Sequence, residues 1–146
     1  MKAKLLHEVE GLKTYALVFS TGEPVNEQLL RFAQQNDIKA AQLSAIGAFS
    51  QVTLGYFSWT SKRYEEIPIS EQVELVALNG NLSLSDGKPK LHAHVVVGKR
   101  DGSAWAGHLL LATVRPTLEV MLVEAPSYLR RVLDKETGLP LLDLAA

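Results

Sequence analysis

The sequence predicts an α+β fold, a mainly antiparallel β-sheet with a helix packed on it. Three observations carry this. Most apolar residues recur with period two, and one early stretch recurs with helical period. The spacers between the period-two stretches are also shorter than the dozen or more residues that a parallel crossover requires. The chain has 146 residues, 47% of them hydrophobic and 21% charged, the proportions of an ordinary globular protein. That length suits one domain with its own core, expected to span residues 1–146.

The elements follow in order. Lys13 to Ser20 alternates, with Tyr15, Leu17 and Phe19 on one face of a half-buried strand. Thr21-Gly22-Glu23-Pro24 breaks it and opens a helix in which Val25, Leu29, Phe32 and Ala33 form the apolar stripe, until Asn36-Asp37 stops it. Strands are then expected at Ala41–Ile46, Phe49–Trp59, Tyr64–Ile69, Val73–Gly80, Asn81–Ser85, Leu91–Gly98, Ala104–Val114 and Thr117–Glu124. Gly47 marks a bend or bulge. Ser85-Asp86-Gly87, Lys99-Arg100-Asp101-Gly102 and Arg115-Pro116 supply turn chemistry. The tail reads as a helical turn over Tyr128–Leu133, a turn over Lys135–Gly138 and an apolar segment over Leu139–Leu144.

Several function classes fall away on composition. The chain contains no cysteine, which removes disulfides, thiolate zinc sites and a Cys nucleophile. Fifteen Lys+Arg against sixteen Asp+Glu give a formal net charge of -1, which counts against DNA as a partner. The basic doublets Lys62-Arg63, Lys99-Arg100 and Arg130-Arg131 read as solvated surface. Neither a phosphate-cradling Gly-rich loop nor a Gly-x-Ser-x-Gly elbow is present. No run approaches a membrane span or a signal-peptide core, so a cytoplasmic protein without membrane contact is expected.

Three histidines carry the most specific signal. In Leu91-His92-Ala93-His94-Val95, two histidines at i and i+2 project from the same face of a strand. If Arg100-Asp101-Gly102 forms a three-residue hairpin loop, Lys99 faces Ser103 and His94 sits directly opposite His108. A loop one residue longer or shorter would turn His108 to the other face. Three neutral imidazoles from two adjacent strands suit zinc or a similar divalent ion, with the fourth position open to water or substrate. The competing reading is three ordinary strand histidines bonded to backbone or water. Glu74, in an apolar strand, and Glu119, in Leu118-Glu119-Val120, are candidates for a fourth ligand or a general base, against the plainer reading of two exposed side chains.

An ordered set of short motifs resembles the PPC (plants and prokaryotes conserved) domain family. It consists of Gly47-Ala48-Phe49-Ser50, Val52-Thr53-Leu54-Gly55-Tyr56, Glu74 through Asn81, His92-Ala93-His94, Asp101-Gly102, Gly107-His108-Leu109-Leu110 and Glu119-Val120, and covers roughly residues 13–142. The resemblance implies an antiparallel sheet with flanking helices and association as a homotrimer. It also implies a metal held by His92, His94 and His108 and a regulatory or DNA-binding role. The Arg-Gly-Arg-Pro AT-hook of the plant members does not occur in this sequence. The plant Gly-Arg-Phe-Glu-Ile-Leu segment corresponds here to Glu71-Gln72-Val73-Glu74-Leu75-Val76, in which only the Glu is identical.

Two functional readings follow. The preferred one is a stand-alone, non-enzymatic module that binds DNA or a small-molecule ligand in regulation, trimeric, with one divalent metal ion, zinc by preference, and no organic cofactor. The alternative is a metal-dependent hydrolase that uses metal-bound water, with Glu74 or Glu119 as the base.

Overall fold

Period-two alternation over most of the chain becomes one sheet of nine strands in the computed structural model, which describes residues 1–125 and 130–144. The elements are β1 (Lys2–Val9), β2 (Leu12–Ser20), α1 (Val25–Gln35), β3 (Ala41–Ser58), β4 (Arg63–Ile69), β5 (Val73–Ser85), β6 (Lys88–Gly98), β7 (Ala104–Glu124), β8 (Arg130–Leu133) and β9 (Pro140–Asp143). Neighbouring strands run β1-β2-β7-β3-β5-β8-β9, with β4 added to β3. β6 pairs with both β5 and β7, so the pairings β3–β5, β5–β6, β6–β7 and β7–β3 close into a ring. All pairs are antiparallel except β5 with β8.

The helix forms where its stripe demands. Val25, Leu29, Phe32 and Ala33 are all buried, and α1 packs against β6 and β7. Val25, Leu29 and Phe32 each contribute about 1.5–3 kcal/mol by leaving water. Phe32 meets Tyr15 of β2 edge-on, with ring centroids 5.1 Å apart. At the C-terminus the Asn36 side chain donates to the Phe32 carbonyl at 2.9 Å, and Asp37 turns the chain with a positive φ. α1 is the one helix among the described residues, so the flanking helices implied by the family resemblance reduce to this single element.

The strands are longer than their sequence signals suggest. Ala41–Ile46 and Phe49–Trp59 merge into β3, Val73–Gly80 and Asn81–Ser85 into β5, and Ala104–Val114 and Thr117–Glu124 into β7. Arg115-Pro116 is therefore no turn. The register against β3 jumps from Gly47↔Leu118 to Phe49↔Val114, leaving the proline in a bulge that requires no N–H from it. Gly80 lies inside β5 because β6 comes close there. A Cβ at Gly80 would lie 2.5 Å from the His92 carbonyl oxygen.

Two further expectations are corrected. Strand β1 was not foreseen, because Lys2–Val9 is exposed along its whole length and no burial pattern marks it. In the tail, Arg130–Leu133 is strand rather than helical turn, since it pairs with β5 on one side and β9 on the other. Tyr128 and Leu129 lie outside the described residues. The Lys135–Gly138 turn forms, with Gly138 N–H donating to the Asp134 carbonyl at 2.8 Å.

Gly47 is the tightest point of the sheet. Its φ is +151°, and a Cβ there would lie 2.4 Å from the Thr117 carbonyl oxygen and 2.8 Å from Leu118 Cα. Both neighbours are backbone and have nowhere to move. Gly47→Ala is expected to destabilise the fold by at least about 2 kcal/mol in urea denaturation, combining strain with a forced separation of β3 from β7. A loss below about 0.5 kcal/mol, the range of an ordinary surface change, would contradict this account of the bend.

Candidate metal centre

The loop between β6 and β7 sets the geometry of the site. Lys99 N–H donates to the Ser103 carbonyl at 2.8 Å, and Gly102 N–H to the Lys99 carbonyl at 3.0 Å, which closes a three-residue loop. Gly102 takes the positive φ that this loop requires, and Asp101 accepts from both the backbone N–H and the hydroxyl of Ser103. The resulting register places His94 directly opposite His108. Ala93, Val95 and Leu109 point into the core, so His92, His94 and His108 share the outer face.

The three imidazoles converge. Each offers one ring nitrogen, and these nitrogens lie within 4.8 Å of one another. Ring centroids are separated by 5.2 Å (His92 to His94), 5.2 Å (His92 to His108) and 5.4 Å (His94 to His108). Around a tetrahedral zinc with ligand bonds of about 2.0–2.1 Å the nitrogens would stand about 3.3 Å apart, within reach of small side-chain rotations. The donor set fits the ion: three imidazoles with no competing ammonium or carboxylate in the triad.

Surrounding groups fix the rings. Tyr64 of β4 stacks on His108 with centroids 4.5 Å apart, and its hydroxyl lies 3.4 Å from His108 Nδ1. Gly55 makes room for this, because a Cβ there would come within 2.8 Å of the Tyr64 ring. Were His108 to hold a cation through its other ring nitrogen, the Tyr64 hydroxyl would be placed to accept from Nδ1–H as an outer-shell partner. Burial, reinforced by the neighbouring His92 and His94, pushes the His108 pKa down to about 4. Burial also lowers His92, with Arg131 and His94 adding to the effect. Both rings are thereby held neutral at pH 7, the form that binds metal.

A cavity of about 280 Å³ opens beside the triad, lined by Tyr64, His92, His108, Leu110, Arg131 and Leu141 among others. Arg131 is the residue that the sequence did not reveal. It is only 8% exposed, against the solvated role expected of its doublet, while Arg130 is exposed. Its Nε donates to Ser83 Oγ at 2.7 Å, Nη1 to the Pro140 carbonyl at 2.8 Å and Nη2 to Asn81 Oδ1 at 2.7 Å. Nη2 also lies 3.3 Å from His92 Nδ1. Glu74 and Glu119 do not join the site. Both are exposed, and they line a separate recess with Gly47, Gln72 and Thr117.

Fold and site together define a single-domain β-sheet protein with a three-histidine cluster on the outer face of a hairpin. The chain belongs to the Plants and Prokaryotes Conserved (PCC) domain family, whose model matches residues 6–126. It is similar to a candidate DNA-binding protein from Bacteroides thetaiotaomicron, with 27% identity, coverage of 96% of both chains and a TM-score of 0.88. It is also similar to the metal-containing protein of Archaeoglobus fulgidus, with 35% identity, coverage of 97% of this chain and 99% of that one, and a TM-score of 0.83. A bifunctional protein GlmU from a Synechococcus strain is 35% identical over 131 residues, 88% of this chain. The chain spans about a fifth of the length of that relative, 20%.

The lowered histidines make stability depend on pH. Between the folded value of about 4 for His108 and the unfolded value near 6.5, the unfolded chain binds more protons. The metal-free protein is therefore expected to keep this contribution above pH 6.5 and to lose it progressively as the pH falls toward 4. Histidine NMR titration of chelator-treated protein should place the His108 midpoint near 4. A midpoint at the ordinary value would mean that the ring is more solvated than the geometry indicates.

Proposed function

We propose that this protein is a metal-binding PCC-domain module that works as a homotrimer, each subunit holding one divalent ion, zinc by its donor chemistry, through His92, His94 and His108. The observation that carries the reading is the convergence of three imidazole nitrogens within 4.8 Å on two strands whose register is fixed by their loop. The metal-containing Archaeoglobus fulgidus relative supports it. When bound, such an ion supplies Lewis acidity at an open fourth position. The chain's own residues supply the rest. Tyr64 holds the His108 ring, and the cavity beside it admits a small molecule.

Trimer formation is supported by the apolar outer face. Val18, Ile46, Val76 and Met121 are each more than 40% exposed and line one recess across β2, β3, β5 and β7. Contiguous apolar surface of this kind marks an association face. A small-molecule or regulatory role is favoured over DNA. The candidate DNA-binding relative supports DNA by analogy, but the net charge of this chain is -1, which disfavours the phosphate neutralisation that such binding needs. Within the basic doublets, Lys99 pairs with Glu71 and Arg131 is buried. The hydrolytic alternative lacks its base, since neither Glu74 nor Glu119 lines the histidine cavity.

Inductively coupled plasma mass spectrometry of untagged protein is expected to find about one zinc or similar ion per chain, lost in His94→Ala. Wild-type protein that stays empty after incubation with zinc would overturn the metal reading. Sedimentation at micromolar concentration tests the assembly separately. Three chains are expected for the wild type, falling to one in Ile46→Asp, and a monomeric wild type would reject the trimer.

A further inference from the structure

The cavity beside the histidines contains a buried guanidinium. Arg131 is only 8% exposed, and its acceptors among the described residues are all neutral: Ser83 Oγ, the Pro140 carbonyl, Asn81 Oδ1 and His92 Nδ1. Among the described residues it takes part in no ion pair. A guanidinium carries five N–H donors. The four hydrogen bonds leave one Nη1 hydrogen without an acceptor among the described residues.

The contact with His92 ties this charge to the metal site. Arginine only donates, so His92 Nδ1 must accept from Nη2, and the neutral ring carries its proton on Nε2. A neutral imidazole has a single lone-pair nitrogen. Once His92 gives that pair to a cation, through either nitrogen, it no longer accepts from Arg131. Adjacent Nη1 and Nη2 atoms then each hold an uncommitted N–H, the donor pair that matches the two oxygens of a carboxylate.

We propose that this cavity is a small-carboxylate site, anchored by Arg131 and coupled to metal occupancy of the histidine triad through His92. The inference rests on the metal reading given above. A monocarboxylate with an apolar body fits best. Arg131 is the one buried cation of the lining, Lys90, which also lines the cavity, is exposed, Leu110, Leu139 and Leu141 form apolar wall, and a volume of about 280 Å³ is small for a ligand pocket. Because coupling is reciprocal, the carboxylate tightens metal binding by the same factor by which the metal tightens the carboxylate.

Isothermal titration of the full chain tests this, with acetate, isovalerate and benzoate as probes, isovaleramide as the neutral control and inorganic phosphate as the competing anion. Zinc-loaded wild type is expected to bind at least one of the carboxylates tenfold or more tightly than chelator-treated protein, and to ignore the amide. Arg131→Gln should lose that binding at least tenfold while retaining its zinc. Should this variant fail to fold by circular dichroism, Leu110→Trp fills the cavity without altering Arg131 and should lose carboxylate at unchanged zinc content. Equal binding by the operative variant, by the amide or by metal-free protein would overturn the proposal. So would phosphate binding more tightly than every carboxylate, or no carboxylate binding to zinc-loaded wild type. Zinc stoichiometry is measured before any titration. Wild type that holds no zinc therefore identifies failure of the metal reading itself, and the coupled site falls with it.

Discussion

The pairing of β3 with β7 is the constraint on which the rest of the structure depends. The two strands run together from Ala41↔Glu124 to Gly55↔His108 and change partners along the way. The first half of β3 pairs with β5 and the second with β4, while the first half of β7 pairs with β6 and the second with β2. This exchange is possible because both strands bend at one place. Gly47 lets the Thr117 carbonyl approach, and the bulge around Arg115-Pro116 absorbs the extra residues on β7. Without that bend β6 could not reach β5 on one side and β7 on the other. The same bend therefore closes the ring and places the histidine hairpin.

The site was largely legible because hairpin register is a local property. A loop of three residues ending in glycine fixes which residues face each other, and the sequence Lys99-Arg100-Asp101-Gly102-Ser103 specifies that loop by itself. From there, the two-residue period puts three histidines on one face. Register propagates only along a strand pair, which is why the glutamates were harder. Glu74 and Glu119 stand on strands of the same sheet, but on a different part of its curved surface. No rule of spacing within one strand places them relative to His92.

Long-range features were not legible, for identifiable physical reasons. β1 has no buried side and thus no alternation to read; it is held by backbone pairing to β2. The breaks expected at Asn79-Gly80-Asn81 and Arg115-Pro116 are sites of close approach and bulging within continuous strands, and glycine or proline alone does not distinguish these from turns. Arg131 looked like one half of a solvated doublet. Its burial is decided by Ser83 and Asn81, 48 and 50 residues earlier in the chain, and by Pro140, nine residues later.

Arg131 also changes the chemical character of the site. Three histidines facing solvent would resemble many adventitious metal sites, set only by chance proximity. Here β8 and β9 form a lobe that reaches back to β5 and β6 through one buried guanidinium, and the same guanidinium touches a member of the triad. Removing a charged hydrogen-bonding group from such a position leaves its partners unsatisfied, at a cost of about 1–3 kcal/mol for each buried group. The tail is thus fixed to the sheet by a residue whose hydrogen bonding would have to rearrange if His92 gave its lone pair to a metal. On the proposed metal reading, anchoring of the tail and occupancy of the triad would not be independent, and the small cavity lined by Arg131, His92 and His108 lies between them.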